Sequence, residues 1–344
     1  MHWLLSLFLI GLLFSPITGQ AEEAALGFYV TPELPESQIA GSTSYFDLNL
    51  AAGDTETLSL KLQNASSDPI QVQVTPHTAF TNVHGVVEYG KDAEEPDTSL
   101  IHSLDQLIDP SGVIDLAGNE TKTIHVPLHM PKESFEGFLA GGLRISEVKE
   151  DQETEVQEGE GVAIKNEFAY VVGVVVSNTR DAVQPDLELL DVFADQLNYR
   201  NVISATLQNF TPTFVNRLSV EAKVQRAGEN DVLYEASEEG MQMAPNSHFH
   251  FPISLEGRRF QSGNYVLHLR ATSGEEEWTW EKEFTIEAEE ARALNRQDVM
   301  IDTSTNWWMW GTIILFMIVV FVGIYLSMIN KKSKDKEKKL NDSM

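Results

Sequence analysis

Cysteine is absent from the 344-residue sequence, which excludes disulfide scaffolds, cysteine nucleophiles and thiolate metal sites. Basic residues are scarce: 24 Lys and Arg stand against 52 Asp and Glu, for a formal charge of -28. That excess argues against nucleic acid, anionic lipid or teichoic acid as the main ligand of the soluble part. The chain also lacks a GxSxG nucleophile elbow, an HExxH helix, a Walker glycine loop and a GxGxxG turn, so the common hydrolase, zinc-protease and nucleotide signatures are missing. Long apolar runs occur only at the two ends.

Those ends fix the compartment. Trp3 to Ile17 is uncharged, Pro16 terminates it, and Gly19-Gln20-Ala21 offers small residues at the spacing signal peptidase accepts. Residues 1–21 therefore read as a signal peptide cleaved before Glu22. The n-region has no Lys or Arg, so an uncleaved anchor is the alternative. Trp307 to Ile329 is a run of 23 residues without a charge, about 35 Å as a helix and long enough for a bilayer core of about 30 Å. Trp307, Trp308 and Trp310 suit an outer interfacial belt. Lys331, Lys332 and four further lysines follow, which places the 330–344 tail in the cytoplasm by the positive-inside rule. Setting aside that tail's six lysines and three acids leaves 18 basic against 49 acidic residues, or -31, on the exported part. An exported chain without cysteine is held by core packing alone, which fits a Gram-positive surface better than a eukaryotic secretory route.

Between the ends, period two dominates. Leu58, Leu60 and Leu62 alternate with polar residues, as do Ile70, Val72 and Val74, and Asn64-Ala-Ser-Ser-Asp68-Pro69 supplies turn chemistry between them. Ile124 to Met130 and Leu143 with Ile145 add strands. Asn166 to Thr179 reads as a strand buried on both faces, and the acid-rich Glu147 to Glu160 as a solvated loop. Pro185 opens a second series of strands: Val202–Leu207, Leu218–Val224, Val232–Ala236, Phe249–Ile253, Tyr265–Ala271 and Trp278–Ile286. Such spacing describes immunoglobulin-like β-sandwiches. Ser59 to Val74 and Ser204 to Val224 share the order strand, LQN, polar turn, strand, an internal echo of two related modules. The expected fold is thus all-β, with sandwiches over 28–180 and 185–287, a helical stalk over 288–306, and a single transmembrane helix over 307–329.

Residues that could carry chemistry have simpler readings. His125 with His129, and His248 with His250, sit at even spacing as metal ligands would. Their apolar neighbours point inward, so the imidazoles are expected to face solvent. Glu275, Glu276 and Glu277 beside Trp278 and Trp280 resemble a glycosidase carboxylate pair, but read more simply as a hairpin edge. Asn64, Asn119 and Asn209 begin glycosylation sequons, which arise easily by chance. No catalytic residue, metal or cofactor is expected.

Longer segments carry a family resemblance. FYVTPELPESQ (Phe28 to Gln38), SYFDLNLAAGDTETLSLKLQN (Ser44 to Asn64), VTPHTAFTNVHGVVEYG (Val74 to Gly90), GFLAGGLRI (Gly137 to Ile145) and NEFAYVVGVVVSN (Asn166 to Asn178) resemble the first domain of the WxL-interacting protein family. Arg200 to Val224, Met243 to Gly257, Ser262 to Ala271 and Trp278 to Ile286 resemble its second. The resemblance implies a first domain that binds peptidoglycan, a second that binds host proteins, and assembly with secreted WxL-domain proteins at a Gram-positive surface. The implied function is a non-catalytic, membrane-tethered scaffold, with a host-directed adhesin as the alternative. Glycans are gripped by aromatic faces and amide or carboxylate groups on exposed loops. Asn82, His84 and Tyr89, in the glycine-broken stretch TNVHGVVEY, are the candidate ligand-binding residues.

Overall fold

The computed structural model describes residues 27–148, 168–301 and 307–341. Residues 1–21, expected from the sequence to be a signal peptide, and most of the acidic stretch 147–160 lie outside the described residues.

The amino-terminal strands are β1 (Phe28–Glu33), β2 (Phe46–Asn49), β3 (Thr55–Asn64), β4 (Ile70–Thr78), β5 (Phe80–Thr81), β6 (Val87–Glu88), β7 (Ile114–Leu116), β8 (Thr121–His129), β9 (Leu139–Glu147) and β10 (Ala169–Ser177). They form a three-stranded sheet, β1-β3-β8, facing a five-stranded sheet, β2-β10-β9-β4-β7, with β5 and β6 as a separate short hairpin. The alternation read in the sequence sets the register. Leu58 lies across from Val126 and Leu60 across from Ile124, which puts one leucine face inward and Ser59, Lys61 and Gln63 outward. Leu58, Leu60, Leu62, Val72, Val74, Leu143, Ile145, Val174 and Val176 meet in one core from both sheets. Each such side chain contributes roughly 1.5–3 kcal/mol by leaving water.

β10 departs from expectation. Its burial alternates: Val172, Val174 and Val176 are in the core, whereas Val171 is 47% exposed. The apolar run therefore serves two surfaces, a core on one side and a half-open groove on the other. β10 also pairs in parallel with β2, Val174 beside Phe46, a pairing that needs a long crossover.

The carboxy-terminal strands are β11 (Leu187–Leu197), β12 (Arg200–Asn209), β13 (Val215–Arg226), β14 (Val232–Met243), β15 (Ser247–Ser254), β16 (Gly263–Ser273) and β17 (Glu276–Ile286). Their sheets run β11-β12-β15 and β14-β13-β16-β17. Leu207, Val220, Ala222, Val224, Phe251, Leu267 and Leu269 are buried. Side chains of β17 close the seam to β11: the Lys282 ammonium donates to the Leu190 carbonyl at 2.6 Å, and the Trp278 indole donates to Asp186 at 2.9 Å. Glu277 takes a bidentate grip from Arg270 at 3.0 and 2.9 Å, so the glutamate turn is a hairpin edge.

The sequence echo has one structural cause. Asn64 and Asn209 end equivalent strands fully buried. Asn64 Nδ2 donates to the carbonyls of Asp68, Leu116 and Ala117, and its Oδ1 accepts from Ser66 N. Asn209 Nδ2 donates to the carbonyls of Thr213 and Ala244, and its Oδ1 accepts from Thr211 N. The serine or threonine two residues on, which completes each sequon, belongs to this asparagine turn.

The chain divides into two compact units; the larger contains Met1–Phe193, Ile203–Ile253 and Asn264–Phe284, the smaller Ala194–Val202, Ser254–Gly263 and Thr285–Met344. Within the smaller, α1 (Ala288–Gln297) starts from a capping box in which Glu287 and Glu290 serve each other's backbone. Its end is pinned: Asn295 exchanges hydrogen bonds with the backbone of Phe260, and Asp298 accepts from Asn201 N at 2.8 Å. A second helix, α2, is Trp307–Asn341. Its described side chains, Trp308, Gly311 to Leu326 and Met328, are all exposed. Trp307, Trp310, Lys331 and Lys332 lie on α2 with side chains outside the described residues. Among the described residues no helix is long and apolar enough to cross a membrane.

Candidate functional site

The three candidate ligand residues fall into three environments around the β5–β6 hairpin. Asn82 is spent on the turn itself. Its Oδ1 accepts from the backbone of His84 and Val86 at 2.9 and 3.2 Å, and its Nδ2 donates to Glu88 at 2.7 Å. His84 is exposed at the tip. Tyr89 leaves the hairpin half-buried, and burial, reinforced by Tyr45, raises its hydroxyl pKa. The hairpin touches the second sandwich: Gln242 N donates to the Gly85 carbonyl at 2.7 Å. Gly85 has a φ of +64, and a Cβ there would sit 2.5 Å from Met241, so only glycine suits this contact.

Around the hairpin the sandwiches are joined by a buried polar network. Asp97, whose side chain is 2% exposed, accepts from His248 Nδ1 at 2.8 Å and from Gln208 Nε2 at 2.8 Å. Ser99 adds backbone and hydroxyl donors to the same carboxylate at 2.8 and 2.6 Å. Thr81 bonds the Ser247 hydroxyl at 2.7 Å and accepts from Ala244 N at 3.0 Å, while Asn246 donates to the Ser99 carbonyl at 3.2 Å. Phe138 N donates to the Pro212 carbonyl at 2.7 Å. His248 thus faces the first sandwich rather than solvent, because the outer face of its sheet is covered here. His250 is held by Thr206 at 2.9 Å and packs edge-on to Phe193. By contrast His125 and His129 are exposed and bonded to Ser59 and Thr55. Among the described residues no group of three or more metal-ligating side chains comes together.

The electrostatics of the joint are tuned. Burial would raise the Asp97 carboxyl, but hydrogen bonds from His248, Ser99 and Gln208 outweigh it and lower the pKa to about 2. The hydrogen bond to Asp97 raises the His248 pKa above 6.5 against the opposing effect of burial, with Asp97 and Glu95 charges assisting. The histidine contribution is therefore complete below 6.5 and lost as pH rises through its folded value. The aspartate contribution is complete above 3.8 and lost as pH falls through about 2. Unfolding of the 22–306 fragment by urea is expected to show greatest stability from about pH 4 to about pH 6.5. Above about pH 6.5 stability should fall as His248 loses its proton; a flat profile over that upper range would contradict the pairing.

Beside the joint lies a groove of about 700 Å³ lined by Tyr45, Tyr89, Phe138, Val171, Gly173 and Arg180 from the first sandwich and Phe214, Asn216 and Gln242 from the second. Phe138 and Phe214 approach to 6.2 Å between ring centres, and the Arg180 guanidinium stands 5.4 Å over Phe138 while pairing with Asp47. The Gln242 amide donates to the Asn216 amide at 3.0 Å. Aromatic walls with amides at the rim suit the binding and orientation of a ligand. Of these residues the sequence singled out Tyr89 alone. The others come from separate strands, and no local spacing marks them.

Family models match two stretches of the chain: "WxL Interacting Protein, peptidoglycan binding domain" over residues 28–147, and "WxL Interacting Protein, host binding domain" over residues 159–296. The chain belongs to the WxL-interacting protein family. No curated protein matches this WxL-interacting protein. Solved structures similar to it include the CsuC–CsuE chaperone–tip adhesion subunit complex from Acinetobacter baumannii, at 13% identity and TM-score 0.29, covering 67% of this chain and 93% of that one. The E. coli chaperone DraB is 12% identical at TM-score 0.27, covering 76% and 96%. A PapD-like domain of human CEP192 is 8% identical at TM-score 0.27, covering 49% and 99%. These likenesses are too distant to carry a ligand or an activity.

Proposed function

We propose that this WxL-interacting protein is a non-catalytic cell-surface scaffold, tethered at the membrane through the uncharged run Trp307 to Ile329, with its sandwiches outside and the lysine tail in the cytoplasm. The first domain grips peptidoglycan, and the ectodomain captures WxL-domain or host proteins. The observation that carries this reading is the presence of both family binding domains in one chain. The apolar run from Trp307 to Ile329 and the lysines after it support the anchor.

The test uses full-length protein in detergent, co-sedimented with purified peptidoglycan, and in parallel mixed with WxL proteins of the same organism. Retention on the wall polymer with capture of a WxL protein is expected. Failure of both with folded protein would overturn the scaffold in favour of a host-directed adhesin. Membrane fractionation of cells expressing the chain with and without residues 307–344 tests the anchor, and equal membrane association of the two forms would remove it.

A further inference from the structure

We infer that the groove between the sandwiches is a saccharide site completed by the second domain, which binds an uncharged, N-acetylated pyranose segment. The inference rests on the peptidoglycan reading above and extends it, because the family description assigns that polymer to the first domain alone.

Pyranose rings present apolar C–H faces that stack on aromatic walls, and hydroxyl and acetamido groups that need paired donors and acceptors. The groove offers both. Tyr45, Tyr89, Phe138 and Phe214 supply the rings. Tyr45 and Val171 remain 38% and 47% exposed, apolar surface that no packing partner covers and a ligand would. Gly173 adds no side chain to the groove lining. At the rim the Asn216 and Gln242 amides are exposed and already oriented by their mutual bond, so they can serve an acetamido or hydroxyl group without losing side-chain freedom.

Charge selects between the two halves of a wall polymer. Arg180 is the basic group lining the groove, and it is committed to Asp47 and to the face of Phe138. A carboxylate-bearing peptide would meet an occupied cation within a strongly acidic protein. A neutral glycan meets no such penalty. The ligand contact is shared: the first sandwich brings Tyr45 and Tyr89, the second Phe214, Asn216 and Gln242.

Titration of full-length protein in detergent with chitotetraose, a neutral N-acetylated β-1,4 oligomer, followed by ligand-observed NMR and calorimetry, tests the site. Binding is expected, weakened roughly tenfold or more by Tyr45→Ala and by Asn216→Ala. Both positions are exposed, so the thermal midpoint should hold; Phe214→Ala serves as a third variant, read only alongside its midpoint. No binding of chitotetraose, or binding that Tyr45→Ala and Asn216→Ala leave unchanged, would overturn the site. Binding of a stem pentapeptide in its place would overturn the ligand class. Retention on whole peptidoglycan is scored separately: retained wild type with equally retained variants sinks this groove while leaving the scaffold reading, and unretained wild type sinks the peptidoglycan reading on which the groove rests.

Discussion

Asn64→Ala is expected to destabilise the 22–306 fragment by about 3–4 kcal/mol, and Asn209→Ala by a similar amount. Neither asparagine is more than 1% exposed. Each satisfies several carbonyls of a turn and of a neighbouring strand with one amide, so truncation strands acceptors where water cannot easily follow. A buried backbone carbonyl without a donor costs roughly 1–3 kcal/mol, and part of that is recovered if a water enters. Equilibrium denaturation of the 22–306 fragment measures the change. Losses under about 1 kcal/mol in both variants would show that the turns hold themselves. The same burial forecasts that neither sequon accepts a glycan on the folded chain, in any host.

Gly137→Val should be comparably severe, at about 3 kcal/mol or more, and should act on the joint. Gly137 has a φ of +71, and a Cβ there would lie 2.1 Å from the Pro212 carbonyl oxygen. That oxygen is also the acceptor for Phe138 N, so the added carbon displaces the hydrogen bond as well as straining the backbone. Gly228→Val gives the control. Its φ is +81, but nothing lies within 4 Å, leaving conformational strain of about 1–2 kcal/mol. Calorimetry is expected to show one transition for the wild type and for Gly228→Val, and an earlier or split transition for Gly137→Val. Equal effects at the two glycines would mean the contact with Pro212 carries no stability.

These two cases mark what the sequence disclosed. Strands with one dry face were legible because the alternation of Leu58, Leu60 and Leu62 with polar neighbours has a single physical reading. The LQN echo was legible as a repeat, but its cause, an asparagine serving carbonyls 52 and 53 residues away, is a feature of the fold and not of any local pattern. β11 escaped notice because Leu187, Leu189 and Leu190 break the alternation and acids intervene. β10 was assigned two buried faces because an apolar run cannot distinguish a core from a groove. Asn82 drew attention as a polar residue beside glycine. That is also the composition of a tight turn, and its side chain is used there. Asp97 gave no local signal at all: its partners Gln208 and His248 are 111 and 151 residues away.

That separation governs the order in which the chain can fold. Emerging amino terminus first, β2 must wait for β10 before its parallel pairing closes, since Leu48 and Ser177 are 129 residues apart. Asp97 waits longer still. Until His248 arrives, its carboxylate and the glycine turn of the β5–β6 hairpin remain in water, and the first sandwich carries an unfinished flank. Closure over such distances is slow and exposes partly built sheets to other chains. Because Asp97 and His248 belong to one chain, the effective concentration of the correct partner stays high, and Asp97 is completed by its own histidine in preference to a neighbour's.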